Sequence, residues 1–432
     1  MRGDQGDLTA TTGSAIPKRV LLIAATFLLS VLLYVDRVCI SAAKDDIAAT
    51  FQFTDKQMGW VLSIFALGYA LFQTPAGLLA DRFGPRLILT AVVSFWSLFT
   101  GLTAVAWNYA SLLSVRFLFG AGEAGAFPGM ARAAYSWIPM RERGLVQGIN
   151  FSGSRLGAAF TLPLVAWMVS AIGWRPSFLI LCAIGFAWAF IWYWWFRDDP
   201  TQHPRISEGE LQYILTTRQQ AKEKAGAAQP LSASILFGST NMWVAMAQYF
   251  CSNFTFFFVL TWFFPTFKTR FHLSPVVAGL YAAAPLICGA LGNWFAGWLV
   301  DRIYNRGFWT ASRRIPAMIG FALAAIGLIA YIQMDDPVGA MLFFSLAIFG
   351  ADMTLPPSWA FCIDIGRRHA GAVSGTMNMA GNLGSFLTAL AFPYLLEWTG
   401  SDVTFFYVGA GLNVLAIALW AFARPERGLE ER

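Results

Sequence analysis

Charged residues are scarce in this chain of 432 residues. Asp, Glu, Lys and Arg make up 12% of it, whereas soluble domains carry about 25%. Hydrophobic residues make up 57%, and the mean hydropathy is +0.56. This balance excludes an ordinary soluble globule and predicts a membrane protein with many spans. Nucleic-acid binding is excluded too, because the net charge of +6 is not gathered into a basic module.

Histidine and cysteine are also few, which argues against a metal site or a disulfide framework. The three histidines lie far apart: His203, His272 and His369. The five cysteines stand singly in apolar segments: Cys39, Cys182, Cys251, Cys288 and Cys362. No spacing matches a zinc site, and no ATP-binding loop occurs. We therefore expect no metal, no cofactor and no enzymatic activity, and any transport must be driven by a gradient.

Long apolar runs dominate the rest of the chain. A span needs about 20 mostly apolar residues, and twelve runs qualify. They cover residues 18–42, 57–79, 87–107, 110–131, 144–170, 175–196, 240–267, 275–299, 314–333, 338–362, 370–394 and 402–423. The first run is too long for a signal peptide, and no small-residue cleavage motif follows it, so we expect it to be retained. The fold class predicted is an all-α membrane protein.

One long polar segment, residues 197–238, divides the runs into two sets of six. Helix-forming residues fill its middle from Ser207 to Lys224, which predicts a surface helix in a solvated linker. The expected organisation is a tail at 1–17, a bundle at 18–196, the linker, a second bundle at 239–424 and a tail at 425–432. Of the 30 Lys and Arg residues, 22 fall on the side of the termini and linker, five on the opposite side and three at membrane depth. Both termini and the linker are therefore predicted to be cytoplasmic.

The two halves repeat a motif. The segment "GLLADRFGPR" at 77–86 follows the second run, and "GWLVDRIYNR" at 297–306 follows the eighth. Each reads G-x-x-x-D-R at a helix end. Two copies in matching places indicate internal duplication, which is common in transporters.

These features resemble the major facilitator superfamily. Within it, "YVDR", "GYALFQTPAGLLADRFG", "RFLFGAGEAGAFPG" and "CIDIGRRHAGAVSGTMNMAGNLG" resemble the anion:cation symporter family, which includes bacterial galactonate and hexuronate carriers and animal sialic acid and vesicular glutamate carriers. Two departures occur, since Pro85 stands where a basic residue is usual and the second motif copy lacks the glycine that follows D-R-x in the first.

The resemblance implies two pseudo-symmetric six-helix bundles that rock about a midplane site in the cell inner membrane. It also implies proton symport of an organic anion, a sugar acid such as an aldonate, aldarate or hexuronate. The open alternatives are a proton-independent exchanger or uniporter and a carrier of aromatic or dicarboxylic acids. The expected partners are the anion, protons and the lipid bilayer, and we expect the protein to act as a monomer.

Five charged residues lie at membrane depth: Asp36, Arg37, Arg116, Glu123 and Arg155. Each costs roughly 2.5–3.5 kcal/mol at the bilayer centre if it is unpaired, so they must pair and face a cavity. Asp36 and Arg37 project about 100° apart on a helix. We therefore predict that Asp36 lies opposite Arg116 and Arg37 opposite Glu123. The alternative is a purely structural cluster, but buried ion pairs stabilise weakly.

A guanidinium suits a substrate carboxylate because it is planar, always charged and bidentate. Arg37 is the first candidate for this clamp, and Arg116 shares or gates the role. The resemblance implies that Asp36 and Glu123 carry the coupled protons. A carboxylate whose arginine leaves to hold the substrate then takes up a proton.

Arg155 is unusual, because in the sugar-acid carriers the position of Ser154 tends to hold an amide that contacts substrate hydroxyls. Here a serine and an arginine stand together. Either Arg155 binds an anion, or it snorkels towards the cytoplasmic end and only forms a gate pair.

Further candidates are polar or aromatic groups in apolar helices, because sugar acids present hydroxyls and an apolar face. The predicted substrate contacts are Tyr34, Tyr69, Ser154, Trp359, Asn378 and Asn382. The D-R motifs predict a cytoplasmic gate at helix ends, formed by Asp81, Arg82, Asp301 and Arg302.

Overall fold

The computed structural model describes residues 16–219 and 231–429. These residues contain eighteen α-helices and no strand. The helices are α1 Lys18–Ala42, α2 Lys44–Phe51, α3 Asp55–Phe83, α4 Pro85–Ala104, α5 Tyr109–Glu123, α6 Ala126–Trp137, α7 Arg143–Ile172, α8 Trp174–Trp195, α9 Glu208–Thr217, α10 Ala233–Gly238, α11 Thr240–Phe258, α12 Phe264–Arg270, α13 Pro275–Asn305, α14 Trp309–Ile332, α15 Pro337–Met353, α16 Leu355–Gly366, α17 Ala370–Thr399 and α18 Val403–Trp420. Most of the predicted N-terminal tail (1–15), part of the linker (220–230) and the last residues of the C-terminal tail (430–432) lie outside this range.

By length and composition, nine helical stretches of the described residues can cross a membrane. They are Lys18–Ala42, Gln57–Phe83, Pro85–Ala104, Trp174–Trp195, Thr240–Arg270, Val277–Asn305, Trp309–Ile332, Pro337–Thr399 and Val403–Trp420. The stretch Pro337–Thr399 contains α15, α16 and α17. The chain is thus a multi-pass membrane protein, and the count of twelve spans stays a prediction.

Two of the expected spans are split helices. The run at 110–131 is divided between α5 and α6, with Ala124 and Gly125 at the break. The run at 338–362 is divided between α15 and α16 at Thr354, and a Pro-Pro pair follows in the first turn of α16. The two breaks occupy the fourth and tenth runs, which correspond in the six-run repeat. The residues at both breaks are buried, and interrupted helical hydrogen bonding at membrane depth is tolerated only where the backbone is buried in protein or lines a cavity.

Local caps explain where several helices begin. Thr54 and Gln57 form a capping box at the start of α3. Ser274 caps α13 and Asp336 caps α15, each followed by a proline in the first turn. Proline suits this position because its missing N–H would be unpaired there anyway.

The helix α3 reaches Phe83 and α13 reaches Asn305, so the two D-R motifs lie inside helices and not after them.

The two halves of the sequence meet most extensively where α7 packs on α13 and where α3 packs on α17, and α6 and α16 add further contacts between the halves. Glycines permit close approach here. A Cβ on Gly371 would lie 2.6 Å from the carbonyl oxygen of Gly77, and a Cβ on Gly297 would lie 2.7 Å from that of Gly144. Small residues serve such contacts in bilayers.

On the outer surface large apolar side chains are exposed, as in Phe190 (74%), which suits a lipid-facing surface.

The surface helix predicted from Ser207 to Lys224 is confirmed in part as α9, which Ser207 caps and which ends at Thr217. Residues 220–224 of that prediction lie outside the described residues. It docks on the bundle, because the Glu210 carboxylate accepts hydrogen bonds from the backbone N–H groups of Lys18 and Arg19, both at 2.9 Å. The Tyr213 hydroxyl donates to Glu142 at 2.5 Å. We call this end of the bundle, where Lys18, α9 and Arg424 lie, the linker end.

Candidate functional site

An ion pair lies inside the first half of the chain. Arg37 on α1 donates from Nε to Oε2 of Glu123, the last residue of α5, at 2.5 Å. The Glu123 side chain is fully buried and that of Arg37 is 17% exposed. The predicted pairing of these two residues is confirmed. Charge-assisted bonds of this length are among the strong ones.

Aromatic rings surround the Arg37 guanidinium. Its Cζ lies 4.2 Å from the ring centroid of Tyr69, 5.1 Å from that of Tyr34 and 5.3 Å from that of Phe65. Such cation–π contacts hold a cation in place without neutralising it. Among the described residues, nothing accepts from the buried Nη2 of Arg37 or donates to the buried Oε1 of Glu123. The pair therefore retains hydrogen-bonding capacity for a ligand.

The predicted pairing of Asp36 with Arg116 is not a direct ion pair, although the two charges interact electrostatically. Oδ2 of Asp36 accepts a hydrogen bond from the indole Nε1 of Trp96 on α4, at 3.0 Å. In the described part of the chain no ion pair joins Asp36 to Arg116, whose Cζ lies 4.6 Å from the ring centroid of Phe119. The physical reason is the 100° step of the helix: Arg37 points at α5, so its neighbour on α1 points at α4.

A second ion pair joins the two halves of the chain. Arg155 on α7 donates to both carboxylate oxygens of Asp352 on α15, with Nε–Oδ2 at 2.8 Å and Nη2–Oδ1 at 2.6 Å. Its Nη1 donates to the Tyr34 hydroxyl at 3.4 Å, and its Cζ lies 3.6 Å from the ring centroid of Phe256. Arg155 is 4% exposed, so it does not snorkel to the membrane surface.

Asp352 was missed by the sequence analysis, although a signal exists. The segments "GEAGAFP" (122–128) and "ADMTLPP" (351–357) place Glu123 and Asp352 at the same distance before a proline. Both carboxylates precede the break of a split helix. Comparing these two segments across the repeat would have indicated Asp352 as the counterpart of Glu123.

The other predicted contacts are distributed around these pairs. The Tyr69 hydroxyl accepts from Nδ2 of Asn378 on α17 at 3.3 Å, which connects the halves again. Nε1 of Trp359 donates to the Tyr249 hydroxyl at 2.9 Å. Tyr249 interacts electrostatically with Tyr34, Tyr69 and Arg155, and sequence reasoning missed it, although it too is a buried phenol in an apolar helix.

Two predicted contacts are not joined to the ion pairs. The amide of Asn382 donates to the Asn378 carbonyl one turn earlier in α17, at 2.8 Å. The Ser154 hydroxyl is buried, and within the described residues it has no hydrogen-bond partner. The structure thus brings together Tyr34, Arg37, Tyr69, Glu123, Arg155 and Asn378, with Trp359 joined to them through Tyr249.

At the linker end, the two motif aspartates bind helix N-termini of the other half. Asp81 accepts from the backbone N–H groups of Gly371 (2.9 Å) and Ala372 (2.7 Å) at the start of α17. Asp301 accepts from Gly144 and Leu145 at the start of α7, both at 2.8 Å. The N-terminus of a helix favours an anion, because its first N–H groups are unpaired and its dipole is positive there.

The arginines of the two motifs, unlike the aspartates, lie beside aromatic rings of their own helices. The Cζ of Arg82 lies 5.1 Å from the Phe83 ring centroid, and that of Arg302 lies 5.2 Å from the Trp298 ring centroid. A separate cluster of charged residues, which the sequence analysis missed, also joins the two halves at the linker end. Asp364 on α16 accepts from Nη1 of Arg143 at 2.5 Å and from Nε of Arg313 at 2.8 Å.

The described residues contain no group of three or more His, Cys, Asp or Glu that could hold a metal ion. The buried polar groups at the centre are instead guanidiniums, carboxylates and phenols. Guanidinium groups bind carboxylates, phosphates or sulfonates by paired N–H bonds. Side chains of these types are suited to reversible binding of an anion.

Comparisons with known proteins agree with this chemistry. The Major Facilitator Superfamily profile matches residues 26–389. The chain is 35% identical to the probable sulfoacetate transporter SauU of Cupriavidus necator, over 93% of each chain. It is 31% identical to the probable galactarate/D-glucarate transporter GarP of Escherichia coli K12, over 88% of each chain.

The fold matches a solved structure as well. The proton:xylose symporter XylE, bound to 6-bromo-6-deoxy-D-glucose, aligns with a TM-score of 0.73 at 15% identity, covering 95% of this chain and 97% of that one. The family resemblance read from the sequence motifs is thus confirmed, and it identifies a carrier and not an enzyme. The chain belongs to the major facilitator superfamily of membrane transporters.

Proposed function

We propose that this transporter of organic anions imports a sugar acid, an aldonate, aldarate or hexuronate, by proton symport. The observation that carries the proposal is the Arg37–Glu123 pair. A cation held among aromatic rings, with one buried amino group still unbonded, is suited to bind a carboxylate. Its own carboxylate partner is suited to take up the proton.

The mechanism follows from the cost of charge in a buried site. When the substrate carboxylate binds Arg37, Glu123 loses its partner. A buried carboxylate without a cation is costly and favours the protonated form. Substrate and proton are therefore taken up together. Asp36, held by Trp96, is the second proposed proton carrier, and Arg116 is proposed to share or gate anion binding.

The remaining predicted contacts are assigned to the substrate's other groups. Tyr34, Tyr69 and Asn378 lie beside the arginines and would bind hydroxyls. Trp359 is the proposed platform for the apolar face of the carbon chain. Ser154 and Asn382 complete the proposed set of contacts.

We assign twelve spans in two six-helix bundles, residues 18–196 and 239–424, with a cytoplasmic linker at 197–238 and cytoplasmic tails. The 22-to-5 distribution of Lys and Arg supports this orientation. The linker end is then the cytoplasmic end, and the bonds of Asp81 and Asp301 close it. This state is closed at the cytoplasmic end, and rocking of the bundles would break these bonds. We place the protein in the cell inner membrane as a functional monomer.

A second candidate substrate class is a small acid that is not a sugar. The relative with 35% identity is named for sulfoacetate, whereas the relative with 31% identity is named for galactarate and D-glucarate. Both classes suit an arginine clamp, because sulfonate and carboxylate alike accept paired N–H bonds.

Uptake into proteoliposomes tests the proposal. An inward proton gradient should drive accumulation of a labelled sugar acid, and a protonophore should abolish it. A carrier that works by exchange or uniport would equilibrate the same acid equally fast after the gradient has collapsed, and that result would reject proton symport. Empty liposomes and liposomes with Arg37→Gln protein serve as controls.

A further inference from the structure

The two buried ion pairs occupy corresponding places in the repeated halves. Glu123 ends α5 just before the break of one split helix, and Asp352 lies just before the break of the other. Pro128 and Pro357 follow them at the same spacing. Each carboxylate binds an arginine from another helix, Arg37 or Arg155. The site therefore contains two arginine–carboxylate units and not one.

Tyr34 lies between the two arginines. Its ring centroid is 5.1 Å from Cζ of Arg37, and its hydroxyl accepts from Nη1 of Arg155 at 3.4 Å. The two guanidiniums thus contact the same side chain, one at the ring of Tyr34 and the other at its hydroxyl. A single short molecule with an acidic group at each end can reach both.

The Arg155–Asp352 pair is poorly explained as a stabilising contact. Both side chains are at least 95% buried, and a buried ion pair of this kind is often no better for stability than apolar residues of similar size. Space has also been left for it, because a Cβ at Gly289 would overlap the Asp352 carboxylate. The pair joins the two halves that must move relative to each other, so it is placed where a ligand can exchange with it.

We propose that Arg155 binds a second acidic group of the substrate, which displaces Asp352. The transported anion is then a short dianion, with two carboxylates or with a carboxylate and a sulfonate. As Asp352 leaves Arg155, one of its oxygens binds a proton from the open side of the membrane, just as Glu123 does when Arg37 is taken. Two negative charges enter with two protons at these units. This inference rests on the proposed function and narrows its substrate class.

Binding of two matched ligand pairs to purified protein tests the inference. Galactarate and galactonate differ by one acidic group, and so do sulfoacetate and methylsulfonylacetate. The wild type should bind a dianion about tenfold or more tightly than its monoanionic match, since one charge-assisted bidentate contact is lost. The double variant Arg155→Gln/Asp352→Asn removes both buried charges, so that neither is left unpaired. It should lose the preference and bind both members of a pair alike.

Proton uptake provides an independent readout. The single variant Asp352→Asn should keep the preference for the dianion. The slope of log Kd against pH, which counts the protons taken up on binding, should fall by about one. Arg306→Gln, an exposed arginine at the linker end, is the matched control and should change neither quantity.

The possible failures are distinguishable. An unchanged preference for the dianion in the double variant would overturn the second anion site but leave the proposed symport intact. Equal binding of monoanion and dianion by the wild type would likewise overturn the second anion site and leave the proposed symport intact. Failure of the wild type to bind any of the four acids would reject both this inference and transport of an aldonate or aldarate in the proposed function.

Discussion

The carboxylate of Asp301 accepts a hydrogen bond from the backbone N–H of Gly144 at 2.8 Å, which ties the end of α13 to the first turn of α7. Asp81 makes the corresponding bond to Gly371, at the start of α17. In each case a motif carboxylate of one half satisfies helix N–H groups of the other half. The two bonds are equivalent under the repeat, and they close the same end of the bundle.

The double variant Asp81→Asn/Asp301→Asn should shift the protein towards a state open at the linker end. Losing a charged acceptor from a buried N–H group costs about 1–3 kcal/mol, so two such losses shift the equilibrium at least about tenfold. Spin labels at Phe83 and Asn305 should report longer distances by double electron–electron resonance. Asp335→Asn, in an exposed position, is the matched control. Unchanged distances in the double variant would contradict the latch.

Glu123→Gln should separate exchange from accumulation. The amide keeps the size of the side chain but cannot take up the coupled proton, so counterflow exchange should persist while gradient-driven accumulation falls tenfold or more. Both rates are measured in the same proteoliposomes. Glu397→Gln, an exposed glutamate, should leave both rates unchanged. An equal fall of both rates in Glu123→Gln would show that Glu123 is no dedicated coupling group.

Glu210→Gln should loosen the start of α1. This carboxylate accepts from the N–H groups of Lys18 and Arg19, and the structure records no side-chain cap from Pro17. Loss of a helix cap costs about 1 kcal/mol, so amide exchange at residues 18–21 should be about fivefold faster. The neighbouring Glu208→Gln should have no such effect. Equal protection in all three proteins would show that the linker helix does not cap α1.

His203 predicts a pH dependence for docking of the linker. Burial, and then the charges of Lys18 and Arg197, lower the pKa of this imidazole below its ordinary value of 6.5, although Glu210 opposes them and Arg205 adds to them. Its Nδ1 accepts from the backbone N–H of Arg205 at 3.3 Å, which requires the neutral ring. The unfolded state then binds more protons between the two pKa values. The stabilisation is therefore complete above pH 6.5 and is lost as the pH falls below it.

Thermal midpoints of wild type and His203→Gln, measured from pH 7.5 to 5.5, check this sign. The advantage of the wild type should shrink towards the acidic end. A constant difference between the two proteins would contradict the argument.

Much of the architecture could be anticipated from the chain alone. Apolar runs of membrane length, the position of the linker and the two D-R motifs are local features that can be read directly, and the bilayer makes the apolar runs nearly obligatory. The pairing of Arg37 with Glu123 was accessible too, because the high cost of an unpaired charge limits each residue to a few possible partners.

The partners of Asp36 and Arg155 were decided by three-dimensional packing. Trp96 and Asp352 reach these residues because of how α4 and α15 are rotated and placed against α1 and α7. Apolar periodicity carries little information about that rotation, since lipid and protein neighbours are equally apolar. Length and hydrophobicity indicate that a helix crosses the membrane and which charged residues it must bury. Which neighbouring helix each charged residue contacts depends on packing between helices that are far apart in the chain.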